Sequence, residues 1–223
     1  LFQEFNIPYV VCVRHTDINF FSKYRSDMNS LLKKILQNAK KVVFISPTLE
    51  LKAKKIKKWS NCFSQNKNIL IPNGIDQFWL NNIYTENKSS RNSFLFIGKL
   101  DSNKNYKRLI QAFKLAHREN NNLTLTIIGN SENNIQRLIK KKPFIEKKEH
   151  VSSKADLMNY YRTHKNFVMF SINETFGLVY IEALSQGLQI GYSYEQGVYS
   201  VFSEFDRYSA NPKSIKSIKN SRR

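Results

Sequence analysis

Short apolar runs alternate with amphipathic helical segments along most of this chain, and that alternation limits its fold more than any other feature. Runs such as Tyr9 to Val13 and Phe94 to Ile97 are typical of buried strands, and apolar residues recur between the runs at helical spacing. Strands that alternate with helices predict parallel sheets covered by helices, with the right-handed crossovers of Rossmann-like folds. The predicted class is therefore α/β, with strands at 9–13, 41–45, 68–71, 94–97, 123–128, 167–170 and 188–192.

A polar stretch from Asn81 to Asn92 interrupts this pattern, and its Asn and Ser content is typical of a connection between two units. We therefore predict two Rossmann-like domains, an N-terminal one over residues 1–77 and a C-terminal one over residues 78–223. Ligands of such sheets bind beyond the carboxyl ends of the strands. Residues that follow strands are thus the first candidates for a site in a cleft.

The composition favours a folded cytoplasmic protein. With 41% hydrophobic residues among 223, the chain can bury a core, and no apolar run approaches the roughly 20 residues that cross a bilayer. The two cysteines, Cys12 and Cys62, lie far apart without CxxC spacing, which argues against a disulfide scaffold or a zinc site. No signal peptide is expected.

The charge is strongly basic, because 36 Lys and Arg against 17 Asp and Glu give a formal net charge of +19. Such a charge supports non-specific binding to nucleic acid by itself, so a basic nucleic-acid-binding protein is one alternative. The sequence shows no helix-turn-helix, RRM-like aromatic motif or zinc finger, and we expect no specific nucleic-acid partner.

Part of the basic surplus lies on a predicted helix that begins at Ser46 and Pro47. Apolar residues of this segment share one face, and a basic amphipathic helix with an aromatic residue is typical of a peripheral contact with an anionic membrane. In the alternative, the apolar face packs on the sheet and the lysines are solvated. The residues of this candidate membrane contact are Lys52, Lys54, Lys55, Lys57, Lys58 and Trp59.

Two loops after predicted strands carry the candidate site residues, which are lysines and backbone amides that suit a diphosphate and two glutamates that can face the same cleft. Gly98 and the ammonium groups of Lys99 and Lys104 follow one strand, and Glu174 and Glu182 follow another, eight positions apart. Between the glutamates, the amides of Phe176, Gly177 and Leu178 begin a helix, where free donors and the helix dipole favour an anion. The alternatives are solvated lysines, a helix capped by Glu174 and an exposed Glu182.

Several segments resemble, in the same order, the GT-B retaining glycosyltransferases of family 4, including members of capsular and lipopolysaccharide assembly. The paired-glutamate segment NETFGLVYIEALSQG is the most specific of them. The segments that carry the resemblance are 8–20 (PYVVCVRHTDINF), 71–76 (IPNGID), 96–104 (FIGKLDSNK), 173–187 and 186–197 (QGLQIGYSYEQG).

The resemblance implies transfer of a sugar, with retention, from a nucleotide-sugar to a surface polysaccharide or lipid-linked acceptor. Glu174 would act as the catalytic residue near the reacting carbon, and Glu182 would bind the ribose hydroxyls. Lys99 and Lys104, with the amides of 176–178, would neutralise the diphosphate. No metal or other cofactor is expected, and the chain has no Asp-x-Asp motif.

The chain departs from the family pattern at three points. Lys99 stands where the family usually has Arg, and Arg14 to Asp17 stand where many members have a His-Gly-x-Asp turn. The resemblance also begins midway through the N-terminal domain, so we expect an incomplete first domain, and an inactive remnant that at most binds nucleotide is the second alternative. Further candidate cleft residues are Arg14, Asp17, Asn73 and Gly98.

Overall fold

The computed structural model describes residues 5–86, 92–130, 135–197, 199–202 and 209–221. The chain forms two compact units. Unit 1 comprises the chain up to Asn73 with residues 174–176 and 195–201, and unit 2 comprises residues 74–173, 177–194 and the chain from residue 202.

Unit 1 is built on a three-stranded parallel sheet of order β1-β2-β3, which agrees with the predicted βαβαβ pattern. Its strands are short, and helices connect them. The elements are β1 Val10–Val13, α1 Asn29–Asn38, β2 Lys41–Phe44, α2 Pro47–Lys54 and β3 Asn68–Leu70, with short helical segments at Asp17–Phe21, Ser22–Tyr24, Ser26–Met28 and Ser60–Cys62.

Helix α2 begins as predicted, since the Ser46 hydroxyl accepts a hydrogen bond from the amide of Leu49 at 3.2 Å and Pro47 is the first helical residue. The helix ends at Lys54, whereas the sequence predicted that it would continue towards Phe63. Tight turns follow, and the side chain of Trp59 is only 1% exposed. Burial of a large indole is favourable, so the tryptophan predicted to face a membrane belongs to the core instead.

Unit 2 contains a six-stranded parallel sheet of order β6-β5-β4-β7-β8-β9 with helices between its strands, which confirms the α/β prediction. Leu95 and Phe96 of the central strand are fully buried. The elements are α3 Gln77–Asn81, β4 Ser93–Ile97, α4 Tyr106–Glu119, β5 Thr124–Ile128, α5 Gln136–Ile139, β6 Ile145–Lys148, α6 Lys154–Thr163, β7 Asn166–Met169, α7 Leu178–Ser185, β8 Gln189–Ser193, β9 Ser209–Ala210 and α8 Ile215–Asn220.

The connection predicted at 81–92 packs within unit 2 over its described part. The amide of Tyr84 donates to the carbonyl of Ser185, and the carbonyl of Asn82 accepts from Arg162 and from Gln186. Residues 87–91 lie outside the described residues. The chain passes from unit 1 to unit 2 after Asn73, and the domain boundary at Gln77 stays a prediction.

The strand order places a topological switch point between β4 and β7. From β4 the chain builds β5 and β6 on one side, and then crosses to build β7, β8 and β9 on the other. Ligands of open parallel sheets bind in the crevice beyond the carboxyl ends of the strands at such a point. No helix within the described ranges combines the length and apolarity needed to span a membrane.

Candidate functional site

The loop after β4 carries the two predicted phosphate-binding lysines. Buried Leu100 anchors it, and the Leu100 amide donates to the carbonyl of Asn130 at 2.9 Å. The amide of Lys104 donates to Asp101 Oδ1 at 2.8 Å, which closes a turn. The side chain of Lys99 is exposed and that of Lys104 is half-buried. The turn therefore fixes the backbone from which both lysine side chains project at the switch point.

Asn103 joins this loop to the segment after β7. Its Oδ1 accepts from the amide of Asn173 at 3.0 Å, and its Nδ2 donates to the carbonyl of Asn173 at 3.1 Å. Its own carbonyl accepts from the amide of Ile172 at 2.8 Å. Three hydrogen bonds thus hold the lysine-bearing loop against the segment that leads to the paired glutamates.

Asn105 makes a second, buried link between the same two regions. It has a left-handed backbone, with φ of 58°, directly before α4, and only small polar residues and glycine adopt this conformation readily. Its Nδ2 donates to the carbonyls of Phe170 at 2.9 Å and Pro212 at 2.7 Å. The end of β7 and the start of α4 are consequently fixed to each other.

Helix α7 begins at Leu178 after Gly177, whose φ of 79° would strain a residue with a β-carbon. The N-cap residue is Gly177, which has no side chain to cap the helix. The Glu174 carboxylate accepts a hydrogen bond from the amide of its neighbour Thr175 at 3.2 Å. The helix begins where the sequence predicted it, and binding of an anion at its first amides stays a prediction.

Glu182 is half-buried on α7, so the alternative of a merely exposed glutamate is wrong. Its Oε2 accepts a hydrogen bond from the hydroxyl of Tyr161 at 3.1 Å. Burial raises the pKa of Glu182, and the Tyr161 hydrogen bond and the charge of Lys154 only partly oppose that rise. The fold thus keeps a partly desolvated carboxylate in one orientation.

Tyr161 is fully buried on α6, and burial beside Glu182 raises the pKa of its phenol well above the usual value. At neutral pH it is a donor to the carboxylate. On the same helix, Lys154 pairs with Asp76 at 2.6 Å, and Asp76 caps α3 through the amide of Phe78. Tyr161 and Lys154 were not predicted as site residues, because the sequence of a helix does not show which carboxylate a Lys or Tyr side chain will contact.

The predicted site residues divide between the two units. Lys99, Lys104, Gly177, Leu178 and Glu182 belong to unit 2, together with Gly98. Glu174 and Phe176 group with unit 1, as do Arg14, Asp17 and Asn73.

Arg14 and Asp17 are neighbours within unit 1, where the Arg14 amide donates to Asp17 Oδ2 at 2.7 Å. Among the described residues, no group of three or more His, Cys, Asp or Glu side chains is placed to hold a metal ion. Independence from metal stays a prediction from the sequence.

The comparisons with known proteins agree with this fold. The sequence model of the family "Glycosyl transferases group 1" matches residues 81–221. No curated protein gives a significant match.

Solved structures are similar over almost the whole chain at low identity. Anabaena HepE, in complex with UDP and glucose, has a TM-score of 0.67 and 14% identity over 96% of this chain and 61% of its own. The sucrose-phosphate synthase of Thermosynechococcus elongatus has a TM-score of 0.74 and 20% identity, with coverage of 98% and 58%. WaaG, a glycosyltransferase of lipopolysaccharide biosynthesis, has a TM-score of 0.64 and 14% identity, with coverage of 96% and 65%.

The chain spans about three fifths of the length of these structures. Identities this low establish the fold alone, whereas the family match covers well over half of the chain. The sequence match, the α/β architecture and the structural similarity agree with one another. The chain belongs to the glycosyl transferases group 1 family and has the α/β fold of the GT-B glycosyltransferases.

Proposed function

We propose that the chain transfers a sugar, with retention of configuration, from a nucleotide-sugar to a surface-polysaccharide or lipid-linked acceptor. The observation that carries this proposal is the Asn103 clamp at the switch point of unit 2. It holds a lysine-bearing loop against the segment that leads to α7 and its half-buried glutamate. A flat basic surface would need neither the clamp nor the buried carboxylate.

In this proposal the diphosphate lies at the carboxyl ends of β4 and β7. Breaking the anomeric bond builds negative charge on the leaving diphosphate, and fixed positive groups lower the energy of that transition state. Lys99 and Lys104 supply two cations, and the amides of Phe176, Gly177 and Leu178 supply neutral donors. The reaction as proposed needs no metal ion.

Glu182 binds the ribose of the donor. Tyr161 donates to its Oε2, which orients the carboxylate so that Oε1 can accept from the ribose hydroxyls. UDP is the first nucleotide to test, because the similar HepE structure contains UDP and glucose. Glu174 is proposed to contact the donor sugar near its reacting carbon, as the family resemblance implies.

We place the protein in the cytoplasm, with a peripheral contact on the inner face of the plasma membrane through the exposed lysines Lys54, Lys55, Lys57 and Lys58. Trp59 takes no part in this contact because it is buried, and Lys52 is half-buried. Each exposed lysine near anionic lipid contributes about 1 kcal/mol.

The proposal is tested by following release of nucleoside diphosphate from UDP-glucose, UDP-GlcNAc, GDP-mannose and ADP-glucose, with EDTA present and water as the default acceptor. Proton NMR of the freshly released sugar then gives the stereochemistry. We expect one donor to be used, and its sugar to appear first as the α-anomer. Binding of a nucleoside diphosphate without any turnover would favour the inactive remnant, and a β-anomer would contradict retention.

A further inference from the structure

The backbone at Glu174 is held by one side-chain oxygen of unit 1. Oε1 of Gln196 accepts from the amide of Glu174 at 3.2 Å and from Nζ of Lys52 at 2.9 Å. Both partners are donors, so only the carbonyl end of the Gln196 amide can face them. The side-chain amide of Gln196 is therefore fixed in one of its two orientations, and the ammonium group of Lys52 helps to fix it.

The next residue, Gly197, also binds the backbone of Glu174. The amide of Gly197 donates to the carbonyl of Glu174 at 2.8 Å. A β-carbon built on Gly197 would lie 1.9 Å from the carbonyl oxygen of Thr175, so only glycine permits this approach. Glu174 consequently has both its amide and its carbonyl bonded by two consecutive residues.

Side chains at the start of α2 bind the same two segments. The hydroxyl of Ser46 donates to the carbonyl of Thr175 at 2.8 Å, and that of Thr48 donates to the carbonyl of Gln196 at 3.3 Å. Lys52 lies one turn further along the same helix. The three side chains bind the segment that contains Glu174 and the segment that contains Gln196.

Lys52 differs from the other lysine of α2. Lys54 is exposed and pairs with Glu50 at 2.7 Å, an ordinary pair at i,i+4 spacing. Lys52 is half-buried, and its pKa is lowered by burial and by the nearby charge of Lys23, with a smaller contribution from Lys55. The charges of Glu195 and Glu174 act in the opposite direction. A desolvated cation beside another lysine is costly, and its bond to Gln196 compensates for part of that cost.

We propose that Lys52 is a positioning residue for Glu174, acting through the carbonyl oxygen of Gln196. The ammonium group keeps that oxygen turned towards the Glu174 amide, and so fixes the backbone from which the carboxylate projects. The catalytic part of this inference rests on the proposed role of Glu174 at the donor sugar.

The test compares full-length Lys52→Met, Lys52→Arg and wild-type chains. Lys34→Met is the charge-matched control, because Lys34 is an exposed lysine of α1. Hydrogen exchange of the Glu174 amide reports the bond to Gln196 directly. A charge-assisted hydrogen bond corresponds to roughly tenfold or more in an equilibrium. We expect exchange at Glu174 to be about tenfold faster in Lys52→Met, and near wild type in Lys52→Arg and Lys34→Met.

Release of UDP from UDP-glucose supplies the second readout. We expect Lys52→Met to lower kcat about tenfold, while KM and the Kd for UDP stay within about twofold, since all the proposed nucleotide contacts except the Phe176 amide are in unit 2. In a Gln196→Met background, Lys52→Met should add almost nothing to either effect, because the shared oxygen is already gone.

Unchanged exchange at Glu174 in Lys52→Met would overturn the inference, as would full additivity of the two substitutions. Faster exchange with unchanged kcat would also overturn it, because Lys52 would then order the segment without affecting the reaction. If the wild type releases UDP from no donor, the proposed function fails. The exchange data still decide whether Lys52 positions Glu174.

Discussion

Replacing Glu182 by alanine should weaken UDP binding without disturbing the phosphate contacts. A hydrogen bond to a charged group contributes about 1.5–3 kcal/mol, which corresponds to roughly 13- to 160-fold in Kd at 25 °C. The Tyr161 hydroxyl also loses its hydrogen bond to Glu182 in this variant, but it does so in the free and the bound protein alike. That loss lowers stability and largely cancels from the binding energy.

The assay is calorimetric titration of wild type and Glu182→Ala with UDP and with 2′,3′-dideoxy-UDP, which lacks the ribose hydroxyls. If Glu182 binds those hydroxyls, the variant loses affinity for UDP but binds the dideoxy ligand as the wild type does. Glu146→Ala is the matched control, since Glu146 is an exposed partner of Lys148 on β6. Equal losses for both ligands, or no loss for UDP, would refute the ribose assignment.

Three further predictions concern unit 2. Lys104→Ala should weaken binding of UDP far more than binding of uridine, and equal losses in a titration would mean that the lysine does not touch phosphate. Because burial raises the pKa of Glu182, its ionisation opposes folding: the cost is absent below the unfolded pKa of about 4.3 and complete above the higher folded value. The melting temperature of Glu182→Gln should therefore rise relative to wild type as pH increases from 4 to 8, and a constant difference would contradict this. Asn105→Ala should lower the free energy of unfolding by about 2–4 kcal/mol in urea, through two lost buried hydrogen bonds and left-handed strain. Asn105→Gly should recover about 1 kcal/mol, and identical losses in the two variants would exclude the backbone contribution.

Most of the sheet could be predicted because its strands are buried on both faces. The run at 94–97 lies within β4, and the run at 167–170 overlaps β7. Strand β6 was missed because its residues, Ile145 to Lys148, are mainly charged. It is an edge strand, where lysines and glutamates are tolerated and protect against unwanted pairing.

The segment after α2 shows the limit of helical periodicity. Leu49, Ala53, Ile56 and Phe63 fit one helical face, yet the chain turns after Lys54. The position of Trp59 depends on space left in the core of unit 1. The spacing of apolar residues along the sequence does not show where that space lies. An indole beside five lysines is therefore ambiguous in sequence and buried in the structure.

Candidate site residues could be proposed from the sequence where they lie shortly after predicted strands. Lys99, Lys104 and Glu182 were proposed from strand ends and helix starts, and their roles at the donor stay predictions. Asn103 and Tyr161 were not found, because their partners lie 70 and 21 positions away in sequence. The left-handed backbone at Asn105 had a weak signal, since asparagine is among the few residues that adopt it readily.

The most direct test of the central claim is a titration of the purified chain with UDP, GDP and ADP in EDTA at physiological salt, with pyrophosphate and a short oligonucleotide as controls. We expect one nucleoside diphosphate to bind selectively and more tightly than pyrophosphate. Binding of the oligonucleotide alone, with a steep dependence on salt, would instead make the net charge of +19 the basis of function and contradict a donor site in unit 2.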